Sequence, residues 1–400
     1  MRVLISGSGI AGLTLAYWLK RYGFEPTIVE RAPTLPIGGY KIDVRGTALD
    51  VLRRMGIYDS VVASSTRMQA AILVDKNGKI IKEMSGDAFG HRVGDDVEII
   101  RGVFCQILMD QIPEVEFIFG DNIQEISSSP EGVQVKFQNH NSREFDLVVG
   151  ADGIHSNVRR LIFGDETNFL RDLGLYLCVY TVPNFLNLNR VEMQYSELGR
   201  VAAVWGASGE PNMKACFGFT APTNQMVLNN KAQQQQMLKT IYEGIGWEVP
   251  RLLTMMTDTP DFYFDSAAQI HMDHWSQDRV ALVGDAAYCA SPMSGQGNSL
   301  ALIGAYVLAG ELATSKGDYR MALANYEKEL RPFVKVNQEL GIEASKLMRS
   351  QEKNPLRARV LNLLMKMAPG ALIQYFINRS TRRIKEAANA IVLKNYPNPD

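Results

Sequence analysis

Cysteine is scarce in this chain: Cys105, Cys178, Cys216 and Cys289 are the only four in 400 residues, and none has the spacing of a disulfide pair or a zinc knuckle. That scarcity argues against a disulfide-stapled fold and fits a reduced, cytoplasmic protein. An excess of one charge is missing too. The 42 basic and 43 acidic side chains leave a formal net charge of −1, which supplies no electrostatic reason for a nucleic-acid partner. No apolar run reaches the roughly 18 residues of a membrane span. The opening "MRVLISGSGIAGLTLAYWL" has the basic start and apolar body of a signal peptide, but glycines interrupt it at regular spacing. There is no internal repeat and no G-x-S-x-G elbow. In "HMDHW", His271 and His274 lack a third ligand, so neither a hydrolase nor a metal site is expected. The length, with 46% hydrophobic residues, exceeds what one minimal core needs and implies two domains.

What the chain does have is patterned glycine. "RVLISGSGIAG" reads as a buried strand, Arg2 to Ser6, followed by Gly7, Gly9 and Gly12 at dinucleotide-binding spacing. Gly7 allows the tight turn, Gly9 lets backbone approach a pyrophosphate, and Gly12 lets the helix pack on the strand. Ile10 and Ala11 open that helix, which runs to about Tyr22 with its N-terminus toward the phosphates. "EPTIVER" is the second strand. It ends at Glu30, placed to accept both ribose hydroxyls of an adenosine. Arg31 follows it, either on the adenine or phosphate or as a solvated strand end.

NAD and FAD share this fingerprint, and two later stretches separate them. In "EFDLVVGADGIHSNVRRLIFG" an apolar strand, Phe145 to Val149, meets the turn Gly150-Ala151-Asp152-Gly153, and Ser156 caps a helix. An ordinary strand–helix connection would look similar. In "DRVALVGDAAYCASPMSGQGNSLALIGAYVLAG" a strand from Arg279 to Val283 reaches Gly284 and Asp285. Asp285 can accept hydrogen bonds from ribityl hydroxyls. Pro292, Gly295 and Gly297 make a compact loop, and Asn298 begins an apolar helix. That helix N-terminus would face the N1–C2=O edge of an isoalloxazine, where charge gathers on reduction. An NAD dehydrogenase has no use for a ribityl contact so far along the chain, so FAD is the expected cofactor.

Together these motifs resemble the single-component (class A) flavoprotein monooxygenases, the group of p-hydroxybenzoate hydroxylase. The stretches "AYWLKRYGFEPTIVER", "KIDVRG", "EIIRG", "GDAAYCASPMSGQGN" and "GAYVLAGEL" look like the tetracycline destructases of the soil and Legionella type. The resemblance implies an α/β fold, with a Rossmann-like FAD domain interrupted by a β-sheet substrate domain and closed by C-terminal helices. It implies that Asp152-Gly153 serves FAD and NAD(P)H, that Gly284-Asp285 holds riboflavin, and that Arg31, Asp43 and Arg101 touch FAD. NADPH or NADH would reduce the flavin. O2 would then form a C4a-hydroperoxide that passes one oxygen to a polycyclic or aromatic small molecule, tetracycline in that group. One departure is Tyr288, where the family often has histidine. From the residues alone, Arg101 opens a helix after "VEII" and is either anion-facing or a helix-entry salt bridge. Arg45 and Asp43 follow the flexible Gly38-Gly39 pair, either near a mobile flavin or in a surface loop.

Residues 163–269, with the hairpin 71–91 turning at Asn77-Gly78, read as a β-rich substrate layer. Residues 1–70, 92–162 and 270–335 then form the FAD domain, and 336–400 a helical tail. From Lys353 to Lys385 the tail carries eight basic residues and no acidic one. It reads as interface packing, as a lid bringing Tyr375 and Phe376 to the substrate, or as an anionic-membrane contact without stable insertion. A monomer is expected. A flavin reductase or oxidase, and a non-catalytic prenyl-binding protein of the Rab GDP-dissociation-inhibitor type, are the competing functions.

Overall fold

The computed structural model describes residues 1–35, 39–221, 230–259, 261–316, 318–353 and 370–397. Among them the largest parallel arrangement is a six-stranded sheet in the order Ser276–Gln277, Val280–Leu282, Leu147–Gly150, Arg2–Ser6, Glu25–Glu30, Glu116–Phe119. Only its outermost pair, Ser276–Gln277 with Val280–Leu282, is antiparallel. Val3, Leu4, Ile5, Leu147, Val148 and Val149 are fully buried, as strands covered on both faces must be. Register explains why the three glycine motifs meet. Ser6 lies beside Gly150, and Gly150 beside Leu282. Three adjacent parallel strands therefore end level, and their loops leave from one edge, where such sheets bind ligands.

One strand boundary differs from expectation. The run Phe145–Val149 is not a single strand. Arg143–Phe145 pairs antiparallel with Val133–Phe137 in a three-stranded sheet, and only Leu147–Gly150 enters the large one. The chain changes sheets at Asp146, whose carboxylate accepts from the Arg2 amide at 2.6 Å.

A seven-stranded sheet runs Tyr263–Ile270, Leu170–Pro183, Asn212–Thr220, Arg200–Gly206, Val191–Glu197, Ala70–Val74, Ile80–Ser85. The hairpin around Asn77-Gly78 does join it, through a parallel pairing of Ala70–Val74 with Val191–Glu197. Side chains alternate across a strand, and this sheet uses the alternation fully. Tyr176, Cys178 and Tyr180 enter a second hydrophobic core with Phe217, Phe219 and Tyr242. Leu177 and Val179 face the other way, into a cavity. Helices Lys231–Ile241 and Val249–Met255 cover the core side.

The tail forms a long helix, Tyr319–Lys353, and a second one, Gly370–Ala388. The segment after it is tied down: Lys394 Nζ lies 2.9 Å from both Glu311 and Glu329, and Tyr396 Oη donates to Glu311 at 2.9 Å. Among the described residues no helix is long and apolar enough to cross a membrane. Residues 354–369 lie outside the described residues, as do the side chains of Tyr375 and Phe376, so the lid reading falls there.

His155 ties the two large sheets together. It follows the turn after Leu147–Gly150, and its Nε2 lies 3.5 Å from Asp265 on the strand Tyr263–Ile270, while Nδ1 lies 2.9 Å from Glu166. Asp265 first and Glu166 second raise its pKa from 6.5 to about 10. Stability from a raised histidine is complete below about pH 6.5 and is lost as pH rises through about 10. Because the ring is 48% exposed, solvent screening keeps the effect small. Urea midpoints across that window should fall more for wild type than for His155→Gln; parallel profiles would contradict this linkage.

Candidate FAD site

The glycine loop is built by contacts that no side chain could share. A Cβ at Gly12 would sit 2.0 Å from the Gly7 carbonyl oxygen, and one at Gly7, where φ is +106°, would sit 2.6 Å from the Ala151 oxygen. Gly7 and Gly12 thus pack backbone on backbone. Gly9 faces the cavity instead, where its nearest neighbour would be Arg101 Nη2, 3.5 Å away. The third motif closes on the first: a Cβ at Gly284 (φ +66°) would meet Ala11 Cβ at 2.9 Å.

This packing leaves a cavity of about 440 Å³ between the strand-end loops and the seven-stranded sheet. Gly9, Ile10 and Ala11 form one end of it. Pro292, Gly295, Gly297 and Asn298 form another, with Asp43 and Arg101 between. Two helices start here, Ile10–Arg21 and Gly297–Thr314. Neither has a side-chain cap or an acidic residue in its first turn. Unsatisfied N–H groups and the positive ends of two dipoles therefore face one cavity. Arg101 adds a guanidinium that makes no hydrogen bond or ion pair with any described residue. An uncapped helix start beside an unpaired cation fits a pyrophosphate, and a second uncapped start fits an electron-rich ring edge.

Asp285 opens onto the cavity, 3.9 Å from where a Gly297 Cβ would lie. Desolvation raises its carboxyl above the usual range, with Cys289 and Arg101 opposing and Asp265 adding. Glu30 sits under the glycine loop. It accepts from Ser8 N and Oγ, both at 2.9 Å, and from Ala32 N at 2.8 Å.

Other residues singled out in the sequence lie elsewhere. Arg31 is exposed and does not line the cavity. The Asp152 carboxylate accepts from Val158 N at 3.0 Å and from Ser156 Oγ, capping the helix Asn157–Phe163. Its neighbours Ala151 and Gly153, not Asp152, line the cavity. Arg45 is buried and holds Asp43 at 2.6 Å and the carbonyls of Gly90 and His91. It is locked to the loop at residues 90–96 and does not line this cavity. Tyr288, the departure from the family pattern, is fully buried and bonded to Tyr326 Oη at 3.1 Å. It belongs to the core and leaves the loop's polarity unchanged.

Comparison with known proteins decides the family. Residues 1–175 and 249–339 match the FAD binding domain family. A flavin-dependent monooxygenase of Legionella longbeachae serogroup 1 (strain NSW150) is 37% identical over 373 residues, 91% of this chain and 96% of that protein. This chain belongs to the flavin-dependent monooxygenases. Among solved structures, tetracycline destructase Tet(55) aligns with a TM-score of 0.87 at 35% identity, over 98% of both chains. Tet(51) aligns with a TM-score of 0.85 at 36% identity, over 99% of both.

The wall opposite the cofactor loops was not visible as a set in the sequence. Tyr40 and Tyr263 lie with ring centroids 5.6 Å apart at the cavity edge. Leu177, Val179, Trp205 and Cys216 line the sheet side, with Lys41 and Glu192 among them. Burial pushes the Cys216 thiol up to about 12 and raises the Tyr40 and Tyr263 phenols. These groups are protonated at neutral pH and are not nucleophiles. The monooxygenase therefore relies on its cofactor for reactive chemistry, and the wall supplies shape and hydrogen-bond donors.

Two substitutions test the cofactor assignment. Charge-assisted hydrogen bonds are worth about 1.5–3 kcal/mol, so Arg101→Ala and Asp285→Ala should each raise the FAD dissociation constant roughly 10- to 100-fold. Flavin fluorescence titration of the apoprotein measures this, and unchanged affinity in both variants would remove these residues from the site.

Proposed function

We propose that this enzyme inactivates tetracycline by inserting one oxygen atom from O2, with NADPH or NADH as reductant. The observation that carries the reading is the likeness in fold, over nearly the full length of both chains, to two tetracycline destructases. The cavity supports it. A wall of Leu177, Val179 and Trp205 opposite the helix starts suits a flat polycycle lying against a bound isoalloxazine. Residues 71–91 and 163–269 would then be the substrate domain, and the remainder up to 335 the FAD domain.

Bound FAD supplies the electron-carrying and oxygen-activating chemistry. The chain's own residues do the rest. Ile10 and Ala11 would offer backbone N–H groups, and Arg101 a guanidinium, to the pyrophosphate. Asp285 would accept from ribityl hydroxyls. The start of Gly297–Thr314 would favour negative charge at the ring edge without reorganising. Leu177, Val179 and Trp205 would keep water from the reacting face. Tyr40 remains a neutral donor that would orient the substrate, whereas the Tyr263 hydroxyl already donates to Asp265 at 3.3 Å and supplies its ring face.

Incubation of the FAD-loaded enzyme with tetracycline and NADPH under 18O2 should give a product heavier by one labelled oxygen, detected by mass spectrometry. NADPH consumption that tetracycline does not stimulate, with no labelled product, would reject this substrate.

A further inference from the structure

The sheet side of the cavity is polar at two places: Asp265 and Ser266 on the edge strand Tyr263–Ile270, where Asp265 faces His155, and Lys41 with Glu192. Lys41 Nζ lies 2.7 Å from Glu192 Oε2 and 3.2 Å from Glu98 Oε2, and 5.2 Å from the centroid of the Trp205 ring. The side chains of Lys41 and Glu192 are 11% and 15% exposed, and what exposure they have is toward the cavity they line. Glu98 stands behind them, held by Arg92 at 2.6 Å and by Thr66. Burial would lower the Lys41 pKa, but Glu192 and Glu98 outweigh it, so the ammonium stays charged.

Two of the three ammonium protons have carboxylate partners. Glu192 Oε2 is taken by Lys41, whereas no described residue donates to its Oε1. A closed ion pair in an apolar wall would be costly to desolvate and replaceable by apolar side chains. A pair left open on a cavity leaves one donor and one acceptor side by side. Their chemical complement is an edge carrying an acceptor oxygen beside a hydroxyl. The surrounding Trp205, Tyr40, Leu177 and Val179 require that edge to belong to a flat ring system.

We propose that Lys41 and Glu192 determine specificity by reading a hydroxyl–carbonyl edge of a planar aromatic substrate. Lys41 donates to the carbonyl oxygen and Glu192 accepts from the adjacent hydroxyl. The inference rests on the reading of this cavity as the substrate side of a monooxygenase. The competing role is structural, since the pair also joins the strand Lys41–Val44 to the strand Val191–Glu197.

The test compares two probes on the FAD-loaded enzyme: 1-hydroxy-2-acetonaphthone and its 1-methoxy analogue, which lacks the hydroxyl proton. Binding is read from perturbation of the flavin absorbance. Wild type should prefer the hydroxy probe by about tenfold or more, the size expected of a hydrogen bond to a charged group. Lys41→Met should bring the ratio near one. The isosteric Glu192→Gln, which keeps the wall's shape, should narrow it at least roughly threefold by weakening only the hydroxy probe. FAD content should stay at wild-type level in both. A structural role predicts equal losses for both probes and an unchanged ratio, which would overturn the proposal. Wild type that binds neither probe, or both equally, would overturn it too. Intact discrimination without labelled tetracycline product would reject tetracycline and leave the pair standing. Labelled product without discrimination would reject the pair alone.

Discussion

The structure depends on one close approach: the backbone of Gly12 against the carbonyl of Gly7, too near for any Cβ. It sets the helix Ile10–Arg21 directly on the end of the strand Arg2–Ser6. The same crowding recurs where Gly7 meets Ala151 and Gly284 meets Ala11. Three strand-end loops are thereby drawn into one layer, and of the three glycines of the first loop only Gly9 faces the cavity. The cofactor groove is the space that remains once these backbones have packed as tightly as they can.

Electrostatics then divides the molecule into satisfied and unsatisfied charge. Arg45, Arg92 and Lys41 pair with Asp43, Asp96 and Glu98 in a largely buried network. Arg101, one strand away, has no such partner among the described residues and stands beside an uncapped helix start. Networks of the first kind hold a fold together and set its geometry. An unpaired cation near free N–H groups is stable in water and waits for an anion. Arg45 and Arg101 look alike in sequence, each following a short strand and preceding a glycine, and their different surroundings give them different work.

Much of the cofactor side was legible because its signals are local. Gly7, Gly9 and Gly12 carry backbone demands that spacing alone displays, and Asp285 stands at a strand end before a small-residue loop. Arg45 and Asp152 were harder. Each lies in the right motif, yet its side chain is claimed by neighbours, the 90–96 loop for Arg45 and the Asn157–Phe163 helix start for Asp152. The sheet side of the cavity was not legible as a set. Lys41, Glu192, Trp205 and Tyr263 come from four separated strands in two sheets; register sets Glu192 beside Trp205, and only the packing of the two sheets brings all four to one cavity.

Everything above turns on FAD lying in this cavity with its pyrophosphate on the glycine loop. A crystal structure of the protein grown with FAD is the direct test. The expected result is the pyrophosphate against the amides of Ile10 and Ala11 with the Arg101 guanidinium on it, and the isoalloxazine edge at Gly295–Asn298. Flavin bound elsewhere, or a pyrophosphate out of reach of both Arg101 and the glycine loop, would contradict it.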